Sequence, residues 1–258
     1  MIALRVGAWS AWAPGIEGAE AWQRWASAPE LPRRGAAPSL PFVPPLLRRR
    51  CDELARGMLH VAEACCGARW RSEVSSVFGS RHGPIATTAE LLEALAGGKP
   101  VSPSGFTHSV HNTQLGLFSI WAENTRSGSS IAAGPETFGN AFVEASTLLR
   151  REPGRPTLLV VGEEEIPESL AAAATEPNGH WAVAFLLENA DDGEALGFEI
   201  VPRGDEGSGE PALRPLPDGL AFLRWWLMEE DRLQLAHGRR VWTWVRVRGS
   251  DGFRRPAP

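Results

Sequence analysis

Two uninterrupted apolar runs constrain the fold of this chain more than any other feature. Thr157 to Val161 and Trp181 to Leu187 each have the length of one strand and lack alternating polar residues. Strands of this kind are buried on both faces, as in sheets that carry helices on both sides. Amphipathic helical stretches lie at about Leu46 to Cys66 and Thr137 to Leu149. Strands that alternate with helices predict an α/β layered domain.

The remaining segments extend this alternation. The pattern predicts helices from about Thr87, as the capping residue paired with Glu90, over Asn112 to Ala122, and from Gly219 to Leu235 with Asp218 as N-cap. Further strands are predicted at Ile2 to Trp9, Val74 to Phe78, Ser129 to Ala133, Leu196 to Val201 and Val241 to Val247. Six prolines from Ala28 to Pro45 exclude regular structure there and predict an irregular, proline-rich segment.

Composition excludes several classes of function. The net charge is −5, and Lys99 is the single lysine among 26 basic residues, so there is no basic excess for nucleic acid. No apolar run is long enough for a membrane span, and the N-terminus lacks the layout of a signal peptide. We therefore expect a cytoplasmic protein with no nucleic-acid or membrane partner.

Cysteine and histidine placement predicts no metal site and no cofactor. The three cysteines are an odd number, and Cys51 and Cys65 fall on the predicted buried stripe, where a free thiol acts as a small hydrophobic residue. His108 and His111 stand three apart without a cysteine or carboxylate in the same segment. This is not the ligand spacing of a zinc site.

The run from Gly79 to Gly83 raises one enzymatic alternative. Ser80 and His82 follow a predicted strand, so a stand-alone serine hydrolase-like enzyme remains an open interpretation. The spacing departs from a nucleophile elbow, because Ser80 directly follows Gly79 and Pro84 delays the next helix. The non-enzymatic interpretation of this run is a glycine-rich turn whose polar side chains bind the backbone.

An acidic run, Glu163 to Glu165, follows the apolar strand that starts at Thr157. The carboxyl end of a strand is a common place for an α/β site. Three adjacent side chains cannot all converge on one ligand, so we expect a solvated acidic loop.

Four motifs, in order along the chain, resemble a known family. The chain resembles the short β-ketoacyl synthase-like proteins, of the chain-length-factor type found with aryl polyene and xanthomonadin-like pigment clusters. The resemblance runs from the N-terminus to about Glu188 and rests on these segments: Ser76 to Gly83; Leu91-Leu92, Leu95-Ala96, Gly98, Pro100 to Pro103 and Phe106; Ser109 to Asn112; and Ile131 to Phe138.

The resemblance implies a fold with two parts. Residues 1–188 would form a thiolase-like half, a mixed central sheet flanked by helices, as in the N-terminal half of a β-ketoacyl synthase. Residues 189–258 would form a Trp-rich helix-strand extension that packs on the same domain.

The resemblance also implies that the chain is not an enzyme. In an active ketosynthase the turn after the strand matching Ser129 to Ala133 holds the acyl-accepting cysteine. Here that turn reads Gly134-Pro135-Glu136, and no cysteine follows Cys66. A carboxylate there opposes the charge stabilisation that acyl transfer needs. The two histidines of a condensing site belong to the family's second half, and neither His180 nor His237 matches a family motif.

By resemblance, the chain is a non-catalytic subunit that forms a heterodimer with a full-length β-ketoacyl synthase and meets the acyl carrier protein only indirectly. It would add an edge strand, Ser127 to Ala133, to the partner's sheet and help to wall the tunnel for the growing chain. A purely structural scaffold is the remaining alternative. The candidate interface and tunnel residues are Phe106, His111, Asn112, Phe118, Ser129, Ile131, Gly134, Pro135, Glu136 and Phe138.

Overall fold

The computed structural model describes residues 2–31, 35–174, 177–190, 195–203 and 216–247. The helices in these ranges are α1 Gly18–Ser27, α2 Pro45–Arg48, α3 Glu53–Trp70, α4 Ile85–Ala96, α5 Pro103–His108, α6 Thr113–Ala122, α7 Thr137–Arg151 and α8 Asp218–Leu227. The strands are β1 Ile2–Trp12, β2 Ser75–Gly79, β3 Gly128–Ile131, β4 Thr157–Glu163, β5 Trp181–Asn189, β6 Ala195–Pro202, β7 Arg232–His237 and β8 Arg240–Val247. Short 3-10 turns span Gly134–Glu136 and Glu168–Ala173.

All the described strands belong to one mixed sheet, in the order β3-β2-β4-β5-β1-β6-β8-β7. Strand β2 pairs in parallel with β3 and β4, and the remaining pairs are antiparallel. Helix α3 packs against β4, β5 and β1, while α7 packs against β2, β4 and β5. The predicted α/β class, with a mixed central sheet flanked by helices, is confirmed.

The two apolar runs are buried on both faces, as their sequence predicted. In β5, Phe185 contributes to the core beneath α7 and α8, and its neighbour Leu186 contributes to the core beneath α3 and α6. In β4, Leu158 and Leu159 divide in the same way. Successive strand residues point to opposite faces, so each run supplies both cores.

The C-terminal strands continue the same sheet. Strand β6 pairs with β1 and β8 pairs with β6, so residues on both sides of Glu188 share one set of backbone hydrogen bonds. Trp242 and Trp244 of β8 are buried beside Phe198 and Phe142. The division at residue 188 stays a prediction.

The predicted helix from Gly219 to Leu235 is wrong in its second half. Helix α8 ends at Leu227, and β7 begins at Arg232. Glu229 adopts a left-handed φ of 52°, which stops the helix. Asp218 is the first helical residue rather than the cap, and its carboxylate accepts a hydrogen bond from His237 of β7 at 2.6 Å.

Two other helix boundaries differ from prediction. The stretch from Leu46 to Cys66 is two helices, because the Asp52 side chain accepts the Ala55 N–H at 2.7 Å and starts α3 anew. Thr87 lies inside the first turn of α4, which begins after Pro84, so it does not cap that helix.

Candidate functional site

The described sheet ends at β3. This strand pairs with β2, and no described strand lies on its other side. The carbonyls of Ser127 and Ile131 accept hydrogen bonds from the β2 side. Because the pairing direction alternates along a strand, the amides of Gly128 and Ser130 face the open edge. An edge of this kind can receive a strand from another chain.

The turn that follows the edge strand is tied down by polar contacts. Gly134 has a φ of 57°, which glycine adopts without strain. Thr137 Oγ1 accepts the Ala133 N–H at 3.0 Å and donates to the Gly134 carbonyl at 2.8 Å. The turn leads directly into α7 and carries no thiol or hydroxyl nucleophile.

Glu136, the last residue of this turn, is engaged by β8. Its carboxylate accepts the Trp242 indole N–H at 2.9 Å and a guanidinium N–H of Arg240 at 3.3 Å. The Trp242 ring also lies against Gly139, where an added Cβ would approach ring atoms to 2.5 Å. The C-terminal hairpin therefore covers the start of α7 and holds the carboxylate.

Ser80 lies behind the edge strand and is 3% exposed. Its hydroxyl donates to Glu163 at 2.9 Å and accepts the Gly83 N–H at 2.8 Å. Its own N–H donates to the Ile131 carbonyl at 3.1 Å, and its carbonyl accepts from His111 Nε2 at 2.6 Å. The hydroxyl is thus buried and bonded on both sides, which is the arrangement of a structural turn rather than of a free nucleophile.

The acidic run is not the solvated loop that the sequence predicts. The Glu163 carboxylate accepts from the Arg81 N–H as well as from Ser80. Glu164 is 4% exposed and accepts the Ala86 N–H at 2.7 Å. The signal that could have identified these carboxylates was their position directly after a buried strand, in a sequence that also contains a glycine-rich loop whose backbone amides need acceptors.

Burial and negative neighbours change the acidity of this region. Burial, together with the negative charges of Asp52, Glu53 and Glu163, raises the pKa of Glu164 to about 7, against the lowering effect of its hydrogen bond from Ala86. Burial also raises the pKa of Asp52 to about 6, against the lowering effect of its hydrogen bond from Ala55. Both carboxyl groups therefore titrate close to neutral pH.

Helices α4 and α5, with the residues up to His111, form an arm that begins at the Ser80 turn. Ala89 is the one buried residue of α4. The arm exposes large apolar side chains, and Ile120 of α6 adds another: Leu92 52%, Leu95 60%, Phe106 63%, Val110 40% and Ile120 62%. Contiguous patches of exposed apolar side chains are typical of interaction surfaces.

The predicted site residues fall into three groups. Ser129, Ile131, Gly134, Pro135 and Glu136 lie together at the edge strand and its turn. Phe106, His111 and Asn112 lie on the arm, with Phe106 and Asn112 exposed and His111 half-buried.

Phe118 and Phe138 form the third group, and both are buried. Phe118 packs between Phe78 and Trp121, with ring centroids 5.4 and 6.0 Å away, in the core beneath α3 and α6. Phe138 lies in the opposite core, 5.1 Å from Phe222. The sheet separates the two side chains.

The cysteines are free and buried. Burial raises the pKa of Cys51 to about 11 and of Cys66 to about 12, and it also raises the pKa of Cys65. Within the part of the chain that the structure describes, no cluster of three or more His, Cys, Asp or Glu is arranged to hold a metal ion. None of the described helices has the length and apolarity needed to cross a bilayer.

Comparison with protein families gives one match along most of the chain. The model of the β-ketoacyl synthase N-terminal domain matches residues 22–245. No curated protein matches the chain.

Solved structures give a consistent picture. The chain is similar to a chain of the ketosynthase ApeO in complex with its chain length factor ApeC from Xenorhabdus doucetiae, at 28% identity and a TM-score of 0.80, covering 95% of this chain and all of that one. The ishigamide ketosynthase/chain length factor matches at 16% identity and a TM-score of 0.61, over 81% of this chain and 69% of that one. The ketosynthase complex AntDE:AntF, with its type II acyl-carrier protein, matches at 13% identity and a TM-score of 0.66, over 95% and 99%.

These matches confirm the family resemblance and extend it. The motifs indicated a resemblance up to about Glu188, whereas the family match continues through β6, α8 and β7 into β8.

Proposed function

Because the chain belongs to the family of the β-ketoacyl synthase N-terminal domain, we propose that it is a non-catalytic, chain-length-factor-type subunit of a polyketide or polyene system. Its partner in this proposal is a full-length β-ketoacyl synthase, which supplies the chemistry. An acyl carrier protein would deliver the growing chain to that partner and meet this subunit only indirectly.

The observation that carries the proposal is an open edge strand followed by a turn without a nucleophile. The resemblance assigns the acyl-accepting cysteine of a ketosynthase to this turn, which here is Gly134-Pro135-Glu136. The Glu136 carboxylate already binds Trp242 and Arg240. A negative charge opposes the oxyanion that develops during acyl transfer. We infer that this turn has a structural role.

The thiols elsewhere in the chain support the same proposal. Cys51, Cys65 and Cys66 are buried and have raised pKa values, so little thiolate forms near neutral pH. The serine hydrolase alternative lacks support, because the Ser80 hydroxyl is buried and bonded to Glu163 and Gly83.

The partner surface in this proposal joins two elements. Strand β3 would extend the partner's sheet through its outward amides, and the arm would cover partner surface with its exposed apolar side chains. Leu115 of α6 contacts Gly128, which places α6 beside the strand. Phe106, His111 and Asn112 would line the tunnel directly, whereas Phe118 and Phe138 would support its wall from within the cores.

A proline at the strand edge tests the heterodimer. Ser130→Pro removes an amide that faces the open edge and leaves the β2 pairing intact, a position where strands tolerate proline. We expect the wild-type chain and Ser130→Ala to co-purify with the partner full-length β-ketoacyl synthase as a heterodimer on size-exclusion chromatography. Ser130→Pro should elute as a folded, separate chain. A wild-type chain that stays apart from the ketosynthase and leaves its activity unchanged would refute the proposal.

Product length separates a tunnel-shaping subunit from a structural scaffold. Phe106→Ala removes the bulk of a side chain that is 63% exposed and contributes little to this chain's own core. We expect the reconstituted complex to make longer products with Phe106→Ala. Unchanged product length with an intact complex would favour the scaffold.

A further inference from the structure

The glycine-rich turn from Gly79 to Gly83 has no assigned role in the proposed function. Its central feature is the set of contacts made by Ser80, which joins this turn to three other parts of the fold. Each polar group of this residue, the N–H, the carbonyl and the hydroxyl, has a partner. Full hydrogen bonding of a buried polar residue rigidifies its surroundings.

Three of the four contacts lead to other elements, and the fourth lies within the turn. The Ser80 N–H donates to the carbonyl of Ile131 at the end of the edge strand. The Ser80 carbonyl accepts from the imidazole of His111 at the end of the arm. The Ser80 hydroxyl donates to the Glu163 carboxylate at the end of β4 and accepts the Gly83 N–H within its own turn. One buried residue therefore connects the edge strand, the arm and the centre of the sheet.

The neighbouring carboxylates strengthen this connection. Glu163 also accepts the Arg81 N–H, and Glu164 accepts the Ala86 N–H in the first turn of α4. The His111 ring lies over Gly83, whose φ of 63° brings the turn close to it. The base of the arm is thus held from the sheet side by carboxylates and from the arm side by the imidazole.

The arm has little else to hold it in place. Ala89 is the one buried residue of α4, and α5 contains no buried residue. A segment with so few buried contacts opens locally at low free-energy cost unless its ends are fixed. The polar contacts at its base therefore decide its position relative to the edge strand.

We propose that Ser80 and Glu163 are positioning residues that fix the arm relative to the edge strand, so that both halves of the partner surface are preformed. The identity of the partner rests on the proposed function. Preforming an interface lowers the ordering cost of binding and raises affinity without a new contact across the interface.

The test compares Ser80→Ala and Glu163→Ala with Ser169→Ala and Glu168→Ala, matched controls at exposed positions of the chain. Glu163→Gln is the milder variant, since its amide oxygen keeps one acceptor. Amide hydrogen exchange of the isolated chain, measured by mass spectrometry, reports local opening of the backbone in residues 81–111 and 128–131. Surface plasmon resonance against the ketosynthase reports the association and dissociation rates.

We expect exchange in both segments to rise roughly tenfold or more for Ser80→Ala and Glu163→Ala, the scale of losing a buried hydrogen bond. Affinity should fall, with partial rescue by Glu163→Gln and no change for the controls. Unchanged exchange in 81–111 would overturn the inference, and so would raised exchange with unchanged affinity. A wild-type chain that binds no ketosynthase would overturn the proposed function instead, while the exchange data would still judge the role of Ser80.

Discussion

Replacing Glu164 with glutamine should stabilise the protein at alkaline pH. Glu164 is 4% exposed, and burial raises its pKa from the usual 4.5 to about 7. In the unfolded chain the carboxyl ionises near its usual pKa, so between these two values the folded state holds one more proton. Stability contributed by this group is complete below pH 4.5 and is lost as the pH rises through 7.

The pKa rise sets the size of the effect. A change from 4.5 to about 7 corresponds to about 3 kcal/mol of unfolding free energy at a pH above both values. Glutamine carries no charge at any pH, and its amide oxygen can still accept the Ala86 N–H. Glu164→Gln should therefore match the wild type near pH 5 and exceed it by up to about 3 kcal/mol at pH 8.

Urea unfolding at pH 5 and pH 8, followed by tryptophan fluorescence, measures this difference. The control is Glu168→Gln, an exposed carboxylate in the same segment of the chain, which should leave both curves unchanged. Asp52, with a pKa raised to about 6, keeps part of the pH dependence in both proteins. A Glu164→Gln variant that is less stable than the wild type at pH 8 would refute the reasoning.

Three further predictions concern the start of α7 and the thiols. Gly139→Ala should lower the free energy of unfolding by about 1 to 2 kcal/mol, because the added methyl group overpacks against Trp242 and this cost exceeds the gain in helix propensity. Thermal melts should show a lower Tm, and a higher Tm would contradict this packing. Glu136→Ala should cost about 1 to 3 kcal/mol, since the Trp242 N–H loses its acceptor, and Glu136→Gln should recover part of it in the same thermal melts. Cys51 and Cys66 should react with iodoacetamide at pH 7.5 only after unfolding, and rapid labelling of the native protein would show that they are accessible.

Locally encoded elements could be predicted from the sequence. The strands at Thr157 and Trp181 and the helix from Thr137 follow from apolar periodicity, which each segment carries by itself. The residue pattern predicts a strand from Ser129 to Ala133, but its role as an edge strand and the significance of the turn after it came from the family resemblance. Periodicity alone could not show that the Ser129 segment ends the sheet.

Contacts between distant segments could not be predicted. The local sequence predicts solvent-facing carboxylates at Glu163 and Glu164, because their partners at Ser80 and Ala86 are 83 and 78 residues away in sequence. The order of the strands in the sheet determines which side chain contacts which backbone amide. Local hydrophobic periodicity does not reveal that order. The predicted boundary between α8 and β7 was wrong for a similar reason. Leu233 and Leu235 are compatible with either a helix or a strand, and pairing with β8 decides for the strand.

The position of β1 within the sheet has a consequence for synthesis. Strand β1 leaves the ribosome before the other described strands, yet it lies between β5 and β6, which are synthesised much later. At about 5 to 20 residues per second, Ile2–Trp12 waits on the order of 10 to 40 s for its neighbours, with its apolar side chains uncovered and both edges unpaired. The nascent chain therefore exposes an unpaired apolar strand until Trp181–Asn189 emerges, so β1 can enter the sheet only after most of the described chain has been synthesised.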